Sequence, residues 1–270
     1  MSALAKQRQH QILEKMRREG AVRVSDLVEE MNVSDMTIRR DIASLADRGL
    51  AHRVHGGATL ADTSGSSYEP SFASKLGASR EEKLAIAKVA ASLVPPDSSV
   101  AISAGTTALA VAEALLPVRD LTIVTNSVPV AQTMHDPERR DRTLVLTGGV
   151  RTPSDALVGS VAVAGLTGLH VDRLFLGVHG ISERAGCTSP NIAEVTTNKA
   201  LIEAAAQIVV VADRTKVGLV GLATVISLDE IDVLITDAAM TDEDQTMLAA
   251  HVGKVMTAVV APNETGKITE

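Results

Sequence analysis

The sequence predicts an α/β protein in two parts, a winged helix-turn-helix followed by a larger domain built on a parallel sheet. Three observations carry this expectation. The first 60 residues hold three amphipathic helical segments and a hairpin turned on Gly56-Gly57. From Glu81 onward short apolar runs alternate with helical stretches, the pattern of a parallel sheet covered on both faces. Between them, Ala61 to Ser79 (ADTSGSSYEPSFASKLGAS) is rich in Ser, Ala and Gly and keeps no period, as a linker or extended arm would. The expected boundaries are 1–60, 61–79 and 80–270 of the 270 residues.

In the first part, Lys6 to Glu19 puts Ile12, Leu13 and Met16 on one face and stops at Gly20. Ser25 is expected to cap a short helix over SDLVEEMN, with Leu27, Val28 and Met31 inward. Ser34 caps a third helix, where Ile38, Ile42 and Leu45 recur at i, i+4 and i+7 and leave Arg39 and Arg40 on the opposite side. Gly49 ends it, and LAHRV and ATL form the hairpin. Three helices and a hairpin make a winged helix, in which the second helix braces the third against a major groove about 12 Å wide. Thr37, Arg39 and Arg40 then reach base edges or phosphates, and His52, Arg53 and His55 of the wing reach the flanking backbone. A three-helix unit with a basic face can also bind protein.

In the second part, helix EEKLAIAKVAASL runs up to Pro95-Pro96. Strands VAIS, LTIVT, TLVLT, LFLGV, QIVVVA, DVLIT and KVMTAVV follow, interleaved with helices over TALAVAEALL, VPVAQTM, EVTTNKALIEAA and DEDQTMLAAHV.

Composition narrows the function classes. At 45% hydrophobic residues, the chain has the material for a packed core. Cys187 is the only cysteine, which excludes a disulfide framework and a Cys-built zinc site and fits a reducing compartment. MSALAKQRQH carries no apolar leader, and no apolar run reaches the ~18 residues of a membrane span. A cytoplasmic protein with no membrane partner is expected. Tyr68, Phe72 and Phe175 are the only aromatics, so single-stranded bases have nothing to stack on, whereas duplex DNA needs no such platform. Residues 1–60 hold ten Lys/Arg against eight Asp/Glu, and the rest hold sixteen against twenty-five, within a net charge of -7. The two ends suit different partners.

Ligands of open α/β sheets bind beyond the carboxyl ends of the strands. There stand Gly105, Thr106 and Thr107, an anion cradle of backbone N–H groups, hydroxyls and a helix start. It is neither a P-loop nor GxGxxG, so no nucleotide is implied. Other strand ends carry Thr125-Asn126, Gly148-Gly149, Asp213 with Lys216, and Asp237; Glu194 and Lys199 open a helix. One pocket for a small phosphorylated polyol would use them together; caps and a surface pair would use them separately. No nucleophile elbow is present, the histidines lack metal-ligand spacing, and no metal or cofactor is expected. Cys187, in the Gly-bounded loop AGCTS, could be reactive, but no activating partner is marked.

Taken together, VSDMTIRRDIASLADRGLAHRVHGGA, ISAGTT, IVTNS, LTGG, ALVG, VADRTKVG and ITDA make the chain resemble the DeoR family of bacterial transcriptional regulators over nearly its whole length. The resemblance implies a DNA-binding domain and a sensor related to ribose-phosphate isomerases. It also implies a repressor of sugar-catabolic genes that binds a double-stranded operator and is relieved by a phosphorylated sugar. By the same analogy Ser34, Thr37, Arg39 and Arg40 contact DNA, with Arg53 and His55 in support. Gly105, Thr106, Thr107, Asn126, Gly148, Gly149, Asp172, Glu194, Lys199, Asp213 and Lys216 would line the effector pocket. Ser103 stands where many relatives carry Asp, and Lys75 where they often carry Arg. A homodimer or homotetramer assembled by the second domain is expected, because one winged helix buries little area on DNA. The alternative is an isomerase-like enzyme with an attached DNA-binding domain. Against it, LFLGVHGIS holds no carboxylate to abstract a proton, so a non-enzyme is expected.

Overall fold

The computed structural model describes residues 3–19, 21–48, 50–54, 56–60 and 72–260. They fall into two compact units, Met1–Tyr68 and Glu69–Glu270.

The first unit runs α1 (Ala3–Glu19), β1 (Ala21–Arg23), α2 (Val24–Met31), α3 (Asp35–Asp47), β2 (Ala51–Val54) and β3 (Gly57–Leu60). β1 pairs antiparallel with β3, so the wing has three strands in the order β1-β3-β2, one more than the expected hairpin. Gly57 makes that pairing possible: a Cβ there would stand 2.1 Å from the carbonyl oxygen of Val22. Ser25 does not cap α2. The strand passes directly into the helix at Val24, because Val22 and Val24 are both buried, and Ser25 donates instead to Asp26. Ser34 does cap α3, accepting from the N–H of Thr37. Ile12, Met16, Leu27, Ile38 and Leu45 are fully buried and join the three helices in one core.

That core has a polar lock. Asp41 on α3 is buried, and it accepts from Arg8 Nε and, at 2.9 Å, from Gln9 Nε2, both on α1. Gln9 Oε1 in turn accepts from Arg48 Nη1 at 3.0 Å. The network fixes α3 against α1 in direction as well as depth, which apolar contacts alone do not.

The second unit opens with α4 (Phe72–Leu76) and α5 (Arg80–Ala91). Then come β4 (Ser99–Ile102), α6 (Thr106–Ala114), β5 (Leu121–Thr125), α7 (Val128–Met134) and β6 (Arg142–Leu146). A short ribbon of β7 (Val150–Arg151) and β8 (Leu157–Val158) leads to α8 (Ser160–Leu166) and β9 (Arg173–Gly177). The chain continues through β10 (Gly180–Ser182), β11 (Gly186–Ser189), α9 (Ile192–Glu203), β12 (Ile208–Val211), β13 (Ala223–Ile226), β14 (Val233–Asp237), α10 (Asp242–His251) and β15 (Val255–Ala258).

Seven of these strands form one all-parallel sheet in the order β15-β14-β12-β9-β4-β5-β6. Val100, Ile102, Phe175, Val209, Val211 and Ile235 enter a core on one face. Ala101, Leu174, Leu176, Val210 and Leu234, the alternate residues, enter a second core on the other. β10, β11 and β13 make a small antiparallel sheet that the apolar runs did not announce.

Asp41→Ala would leave Arg8 and Gln9 facing a buried gap. It is expected to destabilise the first unit by about 3 kcal/mol, the scale for removing one partner of a buried ion pair. Urea unfolding of the variant, followed separately for each unit by hydrogen exchange, checks this; an unchanged midpoint for the first unit would remove the network from its assigned role.

Candidate functional site

On the first unit, α3 presents a polar and basic side. Arg39 and Arg40 are exposed, Thr37 is half-buried, and Met36 is 77% exposed. An open groove of about 940 Å³ runs between α1 and α3, lined by Arg8, Thr37, Arg39, Arg40 and Ser44 among others. Ser34 Oγ and Thr37 Oγ1 stand 2.8 Å apart and hydrogen-bond to each other. Arg39 pairs with Asp35 one turn earlier, and that hydrogen bond raises the guanidinium's pKa. Arg40 has no partner among the described residues. Arg53 lies in β2 with its side chain outside the described residues, and His55 lies outside them altogether. The first unit therefore offers two exposed, adjacent arginines on a braced helix, suited to phosphates and base edges.

On the second unit, strand order reverses between β4 and β9: β5 and β6 lie to one side, β12, β14 and β15 to the other. The loops after β4 and β9 leave in opposite directions and open a crevice at the carboxyl edge. Gly105, Thr106 and Thr107 follow β4 into α6 at this point. Gly105 has φ +135 and open space where a Cβ would project. The first-turn N–H groups of α6 have no acceptor within the helix.

Asn126, after β5, is buried. Its Nδ2 donates to Leu157 O at 3.2 Å, while its Oδ1 is buried without a hydrogen-bond partner among the described residues. Gly148 and Gly149, after β6, pass close to β8. At Gly149 φ is +119, and a Cβ would meet Val158 O at 2.6 Å. Glu194, in the first turn of α9, accepts from Thr152 Oγ1 at 2.8 Å. Asp213, after β12, is buried and accepts from the N–H and hydroxyl of Thr215. Lys216 follows one short turn later.

Two expected members stand elsewhere. Asp172 precedes β9, at the amino edge, and there accepts from Ser99 N at 2.7 Å and Ser99 Oγ at 2.8 Å, bonds that lower its pKa. Lys199 is exposed on α9 and acts on Glu230, ahead of β14 and again toward the amino edge. Both follow from direction: in a parallel sheet the residue before a strand and the later turns of its helix lie opposite the ligand edge. Cys187 is fully buried in β11, and burial pushes its thiol up to about 12, so it is no nucleophile at neutral pH.

Two residues outside the expected set belong to this edge. Ser103 is fully buried, and its Oγ accepts the N–H of Gly177 at 2.9 Å, bridging β4 and β9 at the reversal. Lys83, on the first turn of α5, is only 6% exposed. Its Nζ donates to Lys75 O at 2.9 Å and Ala78 O at 2.6 Å. Burial brings its pKa down to about 8; Lys216 and Lys75 press the same way, and Asp213 and Glu82 oppose them. A signal for it exists in the sequence, since Lys83 falls three, four and seven residues before the buried Ile86, Ala87 and Ala90.

Comparison with known proteins gives two family matches. A model described as DeoR-like helix-turn-helix domain matches residues 8–64, and one described as DeoR C terminal sensor domain matches residues 78–238. The glycerol-3-phosphate regulon repressor of Escherichia coli strain K12 is 34% identical over 246 residues, 91% of this chain and 96% of that protein. The lactose phosphotransferase system repressor of Staphylococcus epidermidis is 31% identical over 234 residues, 84% of this chain and 90% of that protein. Among solved structures, ribose 5 phosphate isomerase A from Neisseria gonorrhoeae aligns at TM-score 0.37 and 17% identity, over 51% of this chain and 53% of that one.

Ser103→Ala would strand the half-buried Gly177 N–H. A loss of about 1 kcal/mol in the stability of the second unit is expected, the scale of one typical hydrogen bond at a half-buried donor. Equal stability of the variant in denaturant would mean that the hydroxyl does not carry the bridge.

Proposed function

The chain belongs to the DeoR family of transcriptional regulators, and from that premise we propose an operator-binding repressor of sugar-catabolic genes that a phosphorylated sugar relieves. The observation that supports the ligand most is Asn126 Oδ1, a buried acceptor without a partner among the described residues. A sugar hydroxyl arriving there would satisfy it, and an unmet buried acceptor is worth about 1–3 kcal/mol. The turn from Gly105 to Thr107 would take the phosphate on N–H groups at the start of α6. Gly148, Gly149, Glu194, Asp213 and Lys216 would border the sugar. That one relative is the repressor of a glycerol-3-phosphate regulon favours a phosphorylated polyol.

For DNA, Arg40 and Arg39 would reach phosphates or guanine edges from α3, with Ser34 and Thr37 at its start. Asp35 competes for Arg39, so a phosphate must displace an exposed ion pair, which is a weak restraint. We read the protein as a regulator and not a catalyst. The carboxylates at the crevice, Asp213, Asp237 and Glu194, accept from Thr215, from the N–H groups of Arg214 and Ala239, and from Thr152. Two copies are expected to share an operator with two half-sites. Ligand and operator would then favour different arrangements, each weakening the other by 1–3 kcal/mol.

Fluorescence anisotropy on labelled DNA from upstream of the protein's own gene, at fixed salt with random competitor, tests the reading. Specific binding reversed by one member of a sugar-phosphate panel is the expected result. Arg40→Ala should weaken binding and lower the dependence on log salt by about one. Thr106→Val should leave DNA affinity intact and abolish the response. No specific binding to any upstream fragment would overturn the proposal.

A further inference from the structure

We propose that Met36 reads the 5-methyl group of a thymine in the major groove, setting a base preference that the arginines of α3 cannot set by themselves. The proposal rests on the operator reading above and adds to it a residue and the chemistry of one operator position.

Met36 is 77% exposed, and it is the one large apolar side chain left exposed among the described residues of the first unit. A single exposed apolar residue is ordinary on a protein surface and by itself means nothing. Its place on α3 is what distinguishes this one. Ile38, Asp41, Ile42 and Leu45 are buried, and at about 100° per residue their mean direction lies about 180° from Met36. Met36 therefore stands at the middle of the outward side. Arg39 and Arg40, one turn later, flank it at about 60° on one side and about 40° on the other.

The end of the helix matters as much as the side. Met36 is the second residue of α3, and a helical side chain leans toward the helix N-terminus. In a helix-turn-helix the N-terminal residues of the recognition helix are the ones that meet base edges. The polar groups at this end are engaged with one another. Ser34 Oγ accepts from Thr37 N and is hydrogen-bonded to Thr37 Oγ1 at 2.8 Å, and Asp35 is paired with Arg39. Met36 stays exposed among them, with an unbranched, polarizable thioether that can adapt to a shallow apolar target.

That target is specific. Base edges in the major groove present donors and acceptors, and the methyl of thymine is the apolar feature of the pattern. Arg39 and Arg40 bring charge, suited to the flanking phosphates or to guanine, and neither recognises a methyl group. Ala43, further along the outward side, is half-buried and offers only its Cβ, about 10 Å nearer the far end of the helix. A long apolar side chain at the centre of the groove face, between two cations, suits an A·T pair at the centre with phosphates or G·C pairs beside it. Covering Met36 against the methyl on binding also removes apolar surface that the free protein shows to water. Burial of one methyl group corresponds to about fourfold in affinity per half-site.

The test is a thymine-to-uracil scan, which removes one 5-methyl group at a time and leaves every hydrogen-bonding group of the duplex in place. The full chain first selects its preferred duplex from a random library at fixed salt, and each thymine of that duplex is then replaced singly by uracil. Wild type should lose about fourfold in affinity at one thymine of each half-site. Met36→Ala should bind the parent duplex more weakly and lose nothing further with uracil at that position, while its losses elsewhere match those of wild type. Met36→Leu, apolar but without the sulfur, should largely keep the uracil loss. The scan on wild type needs no variant, so it decides the matter whatever the variants' stability. Wild type indifferent to uracil at every position, or a Met36→Ala protein that keeps the full uracil loss, overturns the proposal and leaves the operator reading standing. No duplex enriched over random DNA overturns the operator reading, and the role of Met36 with it.

Discussion

Right-handed connections cover both faces of an open parallel sheet only if they run outward in both directions, and here they part between β4 and β9. Every other feature of the ligand edge follows from that parting. The loops that leave β4 and β9 cannot cover each other, so the edge stays open where Gly105 and Thr106 turn into α6. Ser103 holds the two strands together just below the opening, with a hydroxyl whose bond to Gly177 N replaces one the ladder cannot make. The neighbouring strands then deliver Asn126 and Asp213 to the two sides of the same edge.

The first unit solves a different problem: a net acidic chain must present a cationic face. It does so by placement, since its excess over acidic residues is small. Arg8 is turned inward onto Asp41, where it holds α1 to α3, and Arg48 is bound to Gln9. Arg39 and Arg40 remain on the outside of α3, with only the exposed Asp35 as a competitor. The buried network thus serves the exposed arginines, because a helix free to roll about its axis would not hold its outer side outward.

Much of this was legible in the residues, and the limits have physical causes. The longer helices of both units, the parallel strands and the Ser34 cap follow from strong periodicity and short-range hydrogen bonding, whereas α4, inside the stretch read as an arm, and α8, at five and seven residues, are too short to show a period. β1 and the sheet of β10, β11 and β13 escape because runs of three or four residues carry almost no period. Ser25 misled because a buried valine on either side of Arg23 outweighs a cap. Of the ligand set, the residues that follow strands are gathered at one edge, and Asp172 and Lys199 are not. Residue type cannot distinguish the two ends of a strand, whereas chain direction can, and Asp172 stands one residue ahead of β9. Lys83 was legible in principle. A lysine on the apolar stripe of α5 is as informative as a leucine on its polar face.

Among the buried charges of the described residues, Asp41 and Lys83 are treated in opposite ways. Asp41 meets a guanidinium and an amide, so its charge is neutralised where it stands and the element it holds is rigid. Lys83 meets two carbonyls, which orient the ammonium without neutralising it. A fully paired charge gains nothing when a ligand arrives, whereas an oriented, uncompensated one gains the whole interaction in a poorly solvated site. The carbonyls that orient Lys83 are those of Lys75, in α4, and Ala78, in the turn before α5.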